Sequence, residues 1–218
     1  MKGLILEPTI ADNEVLVQFT SEVTIDKYVA VRVPNCYQAV LIINEKVFAR
    51  VPTTTEKKII EYGKENLNKK CRVAFIRSNI SPNMAWGFGN INVNNERLKE
   101  AYRVGTNGKY SIEITEIGKL LKCFDGEANI TTEVIRDKTV DIIKNIGRSI
   151  LGKYFENSNI SVFEISSHTT DIRKEMISLL EKETAFTTLG LKIHDLTVDT
   201  IHVPDEDLAV IQKRINLS

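Results

Sequence analysis

The apolar residues of this 218-residue chain change their period once. Up to about residue 115 they recur at alternate positions, the spacing of a strand with one face toward a core. Beyond it they recur mostly at every third or fourth position, the spacing of an amphipathic helix. No single kind of element satisfies both periods, so the chain is expected to divide into a strand-rich lobe, residues 1–115, and a helix-rich lobe, residues 116–218.

In the first lobe, "EVLVQFT" (14–20) sets Val15, Val17 and Phe19 against polar neighbours, and "KYVAVRV" (27–33) repeats the pattern with Val29, Val31 and Val33. In "QAVLIINEKVFARV" (38–51), Asn44 tolerates positive φ and separates two β-branched runs, which predicts a hairpin. The unbroken Val40-Leu41-Ile42-Ile43 run predicts a strand covered on both faces. "TTTEKKIIEYGKENLNKK" (53–70) is charged and lacks strand alternation, so a short helix and an exposed loop are expected there; "RVAFIR" (72–77) returns to strand. Asn107-Gly108 is the strongest short hairpin signal in the chain, and the glycines of "WGFGN" (86–90) predict a tight bend beside a partly buried Trp86.

In the second lobe, "TEIGKLLKCF" (115–124) reads as a short helix capped by Thr115. "TTEVIRDKTVDIIKNIGRSILGKYF" (131–155) is a long amphipathic helix capped by Thr131 or Thr132, with Ile135, Ile142, Ile143, Ile146 and Ile150 on one side. Val134, Val140 and Leu151 lie off that stripe, an excess that would suit a second partner surface. A helix over about 169–188 places Ile172, Met176, Leu179 and Leu180 on one stripe and stops at Gly190. A strand follows, and Pro204 with Asp205, Glu206 and Asp207 opens a last helix whose acids complement its dipole.

Lys plus Arg and Asp plus Glu balance at 29 each, so no global field draws the chain onto nucleic acid or an anionic membrane. Cys36, Cys71 and Cys123 are odd in number and lie far apart, without the close pairs of a zinc site or redox dithiol, which fits a reducing compartment. The amino-terminal apolar run is cut by Glu7, Pro8 and Asp12, and no window approaches the roughly 20 apolar residues of a spanning helix. Asn79, Asn129 and Asn159 head glycan-acceptor triplets that, without a secretory signal, read as chance in an Asn-rich chain.

The stretch with the most chemical side chains is "LGLKIHDLTVDTIHVPDED" (189–207), which holds two of the three histidines. His168, His194 and His202 with Asp171, Asp195 and Asp199 would be the candidate metal or acid–base set, but no HExxH, HxH or CxxC spacing occurs. Leu191 and Ile193 share one phase, Leu196 and Val198 the other, and Ile201 and Val203 return to the first. The histidines fall opposite the apolar residues, so they are expected to face solvent on a strand that changes face twice through bulges or bends. Cys123 near Asp125, or a serine near His168 in "SSHTTD", supplies a nucleophile and base only as sequence neighbours, and "SSHTTD" reads more simply as a helix cap. No catalytic, cofactor or metal residues are assigned. A hydrolase built on His168, Asp171 and a cysteine is the enzymatic alternative.

The phrases "CYQAVLIINEKV" (36–47), "NMAWGFGNI" (83–91), "YRVGTNGKYSIEITEIGKLLK" (102–122), "TTEVIRDKTVDIIKNIGRSIL" (131–151), "ISVFEI" (160–165) and the carboxy-terminal stretch resemble, in this order, the SPFH (Band 7) family of stomatins, prohibitins and flotillins. The resemblance is closest to its soluble bacterial, virion-core-protein-like branch. It implies an α+β fold, a curved antiparallel sheet packed with amphipathic helices. It also implies a non-catalytic scaffold that self-assembles as a homo-oligomer and organises protein partners, membrane proteins among them, with envelope maintenance as its role.

The implied location is cytoplasmic or peripheral at the inner membrane, without transmembrane insertion, nucleic acid or cofactor. Relatives usually continue past the position of "AVIQKRINLS" into a long helical region or a zinc ribbon, so Val203, Pro204, Asp205, Glu206 and Asp207 are the expected assembly junction. The alternative to a scaffold is a lipid or small-molecule binding module that uses the sheet as a pocket.

Overall fold

The structure is a computed structural model that describes residues 5–9, 14–25, 28–44, 46–61, 64–77, 80–95, 100–124, 127, 129–157 and 163–216. Asp12, Asn79, Asp125, Asn159 and the start of "ISVFEI" lie outside the described residues.

In chain order the strands are β1 (Ile5–Leu6), β2 (Val15–Phe19), β3 (Val23–Thr24), β4 (Tyr28–Val33), β5 (Gln38–Ile43), β6 (Lys46–Val51), β7 (Thr54–Glu61), β8 (Lys70–Ile76), β9 (Met84–Asn95), β10 (Glu100–Ile114), β11 (Asn129–Thr131), β12 (Leu191–Leu196) and β13 (Thr200–His202). The helices are α1 (Ile117–Cys123), α2 (Thr132–Asn157), α3 (Thr169–Leu180), α4 (Thr184–Thr188) and α5 (Asp205–Ile215). The α+β class is the expected one. Contacts gather the chain into two compact units: Met1–Pro82, Glu113–Ile135 and Thr187–Leu191 form the first, and Asn83–Ile112, Arg136–Phe186 and Lys192–Ser218 the second. This differs from a single cut at 115/116, because β9 and β10 share a sheet with strands that come late in the chain.

The first unit holds two sheets. One runs β11-β2-β8-β5-β6 with β3 also on β8, and the pairs along it are antiparallel. The other runs β1-β4-β7, with β1 parallel to β4. Side chains alternate across a strand, so Leu41 and Ile43 of β5 share a face with Val73 and Phe75 of β8. They cluster with Val29, Val31 and Val33 of β4. Val40, Ile42, Ala74 and Ile76, in the opposite phase, are buried too, so these central strands are covered on both faces as the apolar run predicts. Asn44 takes φ 49° in the turn between β5 and β6, the expected hairpin.

Residues 54–61 correct a sequence expectation. They form β7, antiparallel to β4 from Tyr28↔Glu61 to Val33↔Thr54, and only Lys64–Asn66 makes a short 3-10 turn. A strand at the end of a sheet needs only one apolar flank and a backbone partner. Ile60 packs against the core cluster while Ile59 is 52% exposed, and β4 supplies the main-chain bonds. Thr115 does not cap α1: its amide and hydroxyl both donate to the Gly190 carbonyl, at 2.9 and 3.0 Å. Gly190, at φ +73°, is the expected stop; a Cβ there would collide with the Glu116 carbonyl oxygen.

In the second unit Asn107-Gly108 is not a turn. Both residues sit inside β10, opposite Gly87 and Trp86 of β9. β13 pairs with Gly105–Asn107, and Thr106 and Asn107 also pair with β9, so β9 and β13 occupy opposite edges of β10. Gly108 serves close approach rather than a turn. A Cβ there would collide with the Thr197 carbonyl oxygen and come within 2.8 Å of Trp86 Nε1. Trp86 is 3% exposed, more buried than expected, and its indole donates to that same carbonyl at 3.0 Å. The expected bend at "WGFGN" is instead a bulge, since Val104 pairs with Ile91 but Thr106 with Phe88.

The amphipathic helix is α2, and Thr131 Oγ1 accepts the Val134 amide at 3.2 Å as its cap. Val140 and Leu151 are buried along with Ile135, Ile143 and Ile150, so most of the apolar excess is used inside the chain rather than left for a partner. Gly147 lets α2 close on Phe88, Met176 and Trp86; a Cβ would meet them at 3.1–3.3 Å. The helix predicted over 169–188 is two, α3 and α4. Tight bonds from Lys182 N to Leu179 O and from Glu183 N to Leu180 O end the first.

Gly108→Ala is expected to destabilise the fold by about 1–3 kcal/mol through overpacking against Thr197. Gly89→Ala, where a Cβ meets nothing within 4 Å, should change stability by less than about 1 kcal/mol. Urea unfolding of the two variants, followed through Trp86 emission, checks the contrast.

Candidate functional site

The carboxy-terminal stretch folds as the phase pattern indicates. β12 buries both Leu191 and Leu196, five residues apart, so one phase change falls inside β12; the second falls where the strand is interrupted at Thr197–Asp199, before β13 buries Ile201. Through the interruption the chain stays bonded to β10, with Thr197 N on Lys109 O at 2.7 Å and Asp199 N on Asn107 O at 2.9 Å. His194 and His202 are exposed, and the His202 ring lies over Gly105.

The candidate acids are engaged elsewhere. Asp195 accepts from Arg173 Nη2 at 2.7 Å, and the guanidinium also donates to the Leu196 carbonyl; the arginine holds the Asp195 carboxyl below its ordinary pKa. His168 and Asp171 stand 3.9 Å apart, beyond the roughly 2.6–3.2 Å of direct proton transfer. Cys123, the nucleophile considered, donates its thiol to the Thr188 carbonyl at 3.6 Å. "SSHTTD" does not supply the expected cap: His168 occupies the N-cap of α3 without a side-chain bond, and Ser167 donates back to Glu164 O at 2.6 Å. Among the described residues no group of three or more His, Cys, Asp or Glu is placed to hold a metal ion.

The junction is the most strongly bonded part of the stretch. Arg103 Nε and Nη2 fork onto Asp207 at 3.1 and 2.8 Å, the Arg103 amide donates to the same carboxylate at 2.7 Å, and Nη2 also reaches Glu206 at 3.0 Å. Asp207 thereby ties the first turn of α5 to β10. Val203 is buried, while Asp205 and Glu206 are exposed. Sequence reasoning found the acids but not their partner, which lies about a hundred residues earlier.

A second arrangement was not read from the sequence. On the face of the larger sheet away from its core cluster, a pocket of about 420 Å³ opens between β2, β5, β8 and the last turn of α1. Phe19, Ile42, Leu121 and Phe124 give it an apolar lining, and Arg72 and Lys122 add two cations. Ile42 is directly opposite Arg72 in the β5–β8 register, and the Arg72 guanidinium lies 5.0 Å from the centre of the Phe19 ring. Lys70 at the rim is bonded to Glu22 at 2.9 Å, which lowers the Glu22 carboxyl and raises the Lys70 ammonium pKa. Its residues come from four elements, so no local motif announces it.

The sequence matches the SPFH domain-Band 7 family over residues 45–218, and the chain belongs to that family. No curated protein matches it significantly. The family is generally membrane-associated, scaffold-like and non-enzymatic. Among the described residues no helix is long and apolar enough to cross a membrane.

Arg103 lowers the Asp207 carboxyl below its ordinary 3.8, chiefly through the side-chain bonds, so this pair supports the fold fully above that value. The contribution is lost as pH falls through the lower folded pKa. Protection factors of the amides in the first turn of α5, corrected for the intrinsic pH dependence of exchange, should therefore fall as pH drops below about 4, and Asp207→Asn should remove most of that pH dependence. Arg103→Lys should weaken protection at neutral pH, because an ammonium cannot reproduce the fork.

Proposed function

We propose that this chain is a non-catalytic SPFH-type scaffold of the soluble bacterial, virion-core-protein-like branch. It self-assembles and organises partner proteins at or near the membrane, from the cytoplasm or the periphery of the inner membrane, in envelope maintenance. The observation that carries this reading is the family match over residues 45–218. The junction at Val203, Pro204, Asp205, Glu206 and Asp207 is the proposed start of the assembly surface: its first turn is fixed by Arg103, and α5 beyond it presents Val210 at 52% exposure. A second reading, a lipid or small-molecule binding module, is favoured by the pocket beside Arg72.

Light scattering coupled to size exclusion is expected to give a mass well above the 24.7 kDa monomer and rising with concentration. Asp205→Lys combined with Val210→Asp should move the equilibrium toward monomer while leaving the far-ultraviolet circular dichroism unchanged. A strict monomer at high concentration would reject the scaffold reading.

A further inference from the structure

β8 lies between β2 and β5 in the interior of its sheet, a position that ordinarily takes apolar side chains on a covered face. Arg72 interrupts that pattern. Its flanking residues Cys71 and Val73 point to the packed core, and its cross-strand neighbours Ile42 and Phe19 are buried apolar groups. A half-buried guanidinium in such surroundings is normally paired with a carboxylate, because desolvating a charge without a partner is costly. Here it has no ion pair within bonding distance among the described residues; the Phe19 ring lies against it, and Glu22, whose carboxyl its charge helps to lower, is bonded to Lys70. Lys122, contributed by α1 to the same lining, likewise has no ion pair among the described residues. Among the described residues Glu127 is the one lining carboxylate outside the Glu22–Lys70 bond.

We propose that this pocket binds a single-chain amphiphile with an anionic head, carboxylate or phosphate, whose apolar body lies on Phe19, Ile42, Leu121 and Phe124 and whose head is taken by Arg72 and Lys122. The volume of about 420 Å³ falls in the range of small-ligand sites and matches a medium-length chain rather than a two-chain lipid. The Phe19 ring, 5.0 Å from the guanidinium carbon, uses none of its N–H donors as a carboxylate partner would, and the guanidinium fork suits carboxylate and phosphate. The bond between Glu22 and Lys70 keeps the first of the lining carboxylates from repelling the head. The proposal rests on the ligand-pocket reading and does not depend on self-assembly.

Isothermal titration of the full chain with decanoate, decyl phosphate, monodecanoylglycerol and inorganic phosphate, each amphiphile below its micelle concentration, tests it. Decanoate and decyl phosphate are expected to saturate one site per chain, with the neutral glyceride at least tenfold weaker and inorganic phosphate without measurable binding. Arg72→Gln and Lys122→Gln should each weaken the anionic amphiphiles tenfold or more. Lys122 is exposed, so the second variant remains informative if the first unfolds.

Equal binding of the neutral glyceride would overturn the head-group assignment while leaving a pocket. Equal binding of inorganic phosphate would overturn the apolar half. Unchanged affinity in folded variants would overturn the residue assignment, and no binding of any amphiphile would remove the pocket reading altogether. Light scattering on the same samples reports assembly separately.

Discussion

The approach of residues 197–202 to the middle of β10 is the contact on which the second unit depends. It is possible only because residue 108 has no side chain, and the space is filled by the Thr197 carbonyl and the indole of Trp86. Around it the polar groups of the two segments answer one another. Thr106, 3% exposed, donates to Thr200 O at 2.7 Å, Thr197 Oγ1 accepts the Lys109 amide at 3.0 Å, and Arg103 closes the series on Asp207. Each bond contributes about 0.5–1.5 kcal/mol net, but leaving a buried partner unsatisfied costs about 1–3 kcal/mol. Polar and acidic residues are therefore what such a seam requires, and their density near two histidines is a structural necessity before it is a chemical signal.

The first unit solves a different problem. Its larger sheet must be covered on both faces, and the smaller sheet with β4 at its centre covers one of them in a continuous cluster. On the other face the seven-residue α1 leaves a recess over β2, β8 and β5. That recess is where a strand of otherwise apolar character carries an arginine. Hydrophobic packing places the pocket, and the pleat decides which side chains enter it: Ile42 and Arg72 do, while Leu41 and Val73 point into the core.

What could be read in the sequence follows from how local each cause is. The hairpin at Asn44, the two-faced β5, the cap at Thr131, the stop at Gly190 and the bent seam with outward histidines all depend on neighbours a few residues away, and all appear in the structure. The misreadings share a distant cause. Asn107-Gly108 looked like a turn because the reason for its glycine, Thr197, lies far along the chain; β7 looked helical because its partner β4 made the strand; Thr115 was claimed by Gly190 instead of by its own helix. The pocket had no local signature for the same reason. Arg72 is unremarkable in "RVAFIR" until register places Ile42 opposite it and Phe19 beneath it.

The arginines separate structural from available charge. The Arg103 guanidinium meets the carboxylates of Asp207 and Glu206, the Arg173 guanidinium meets Asp195 and the Leu196 carbonyl, and both fasten the carboxy-terminal stretch within the second unit. Their charge is spent on the fold. Arg72 is fastened too, but by an aromatic face, which restrains the group without neutralising it. In a chain whose charges balance overall, Arg72, Lys70 and Lys122 outnumber Glu22 and Glu127 in the recess, and that local excess of positive charge attracts an anion. Glu22 feels the Arg72 charge but is bonded to Lys70, so an anionic ligand that enters the recess would give the guanidinium a direct partner.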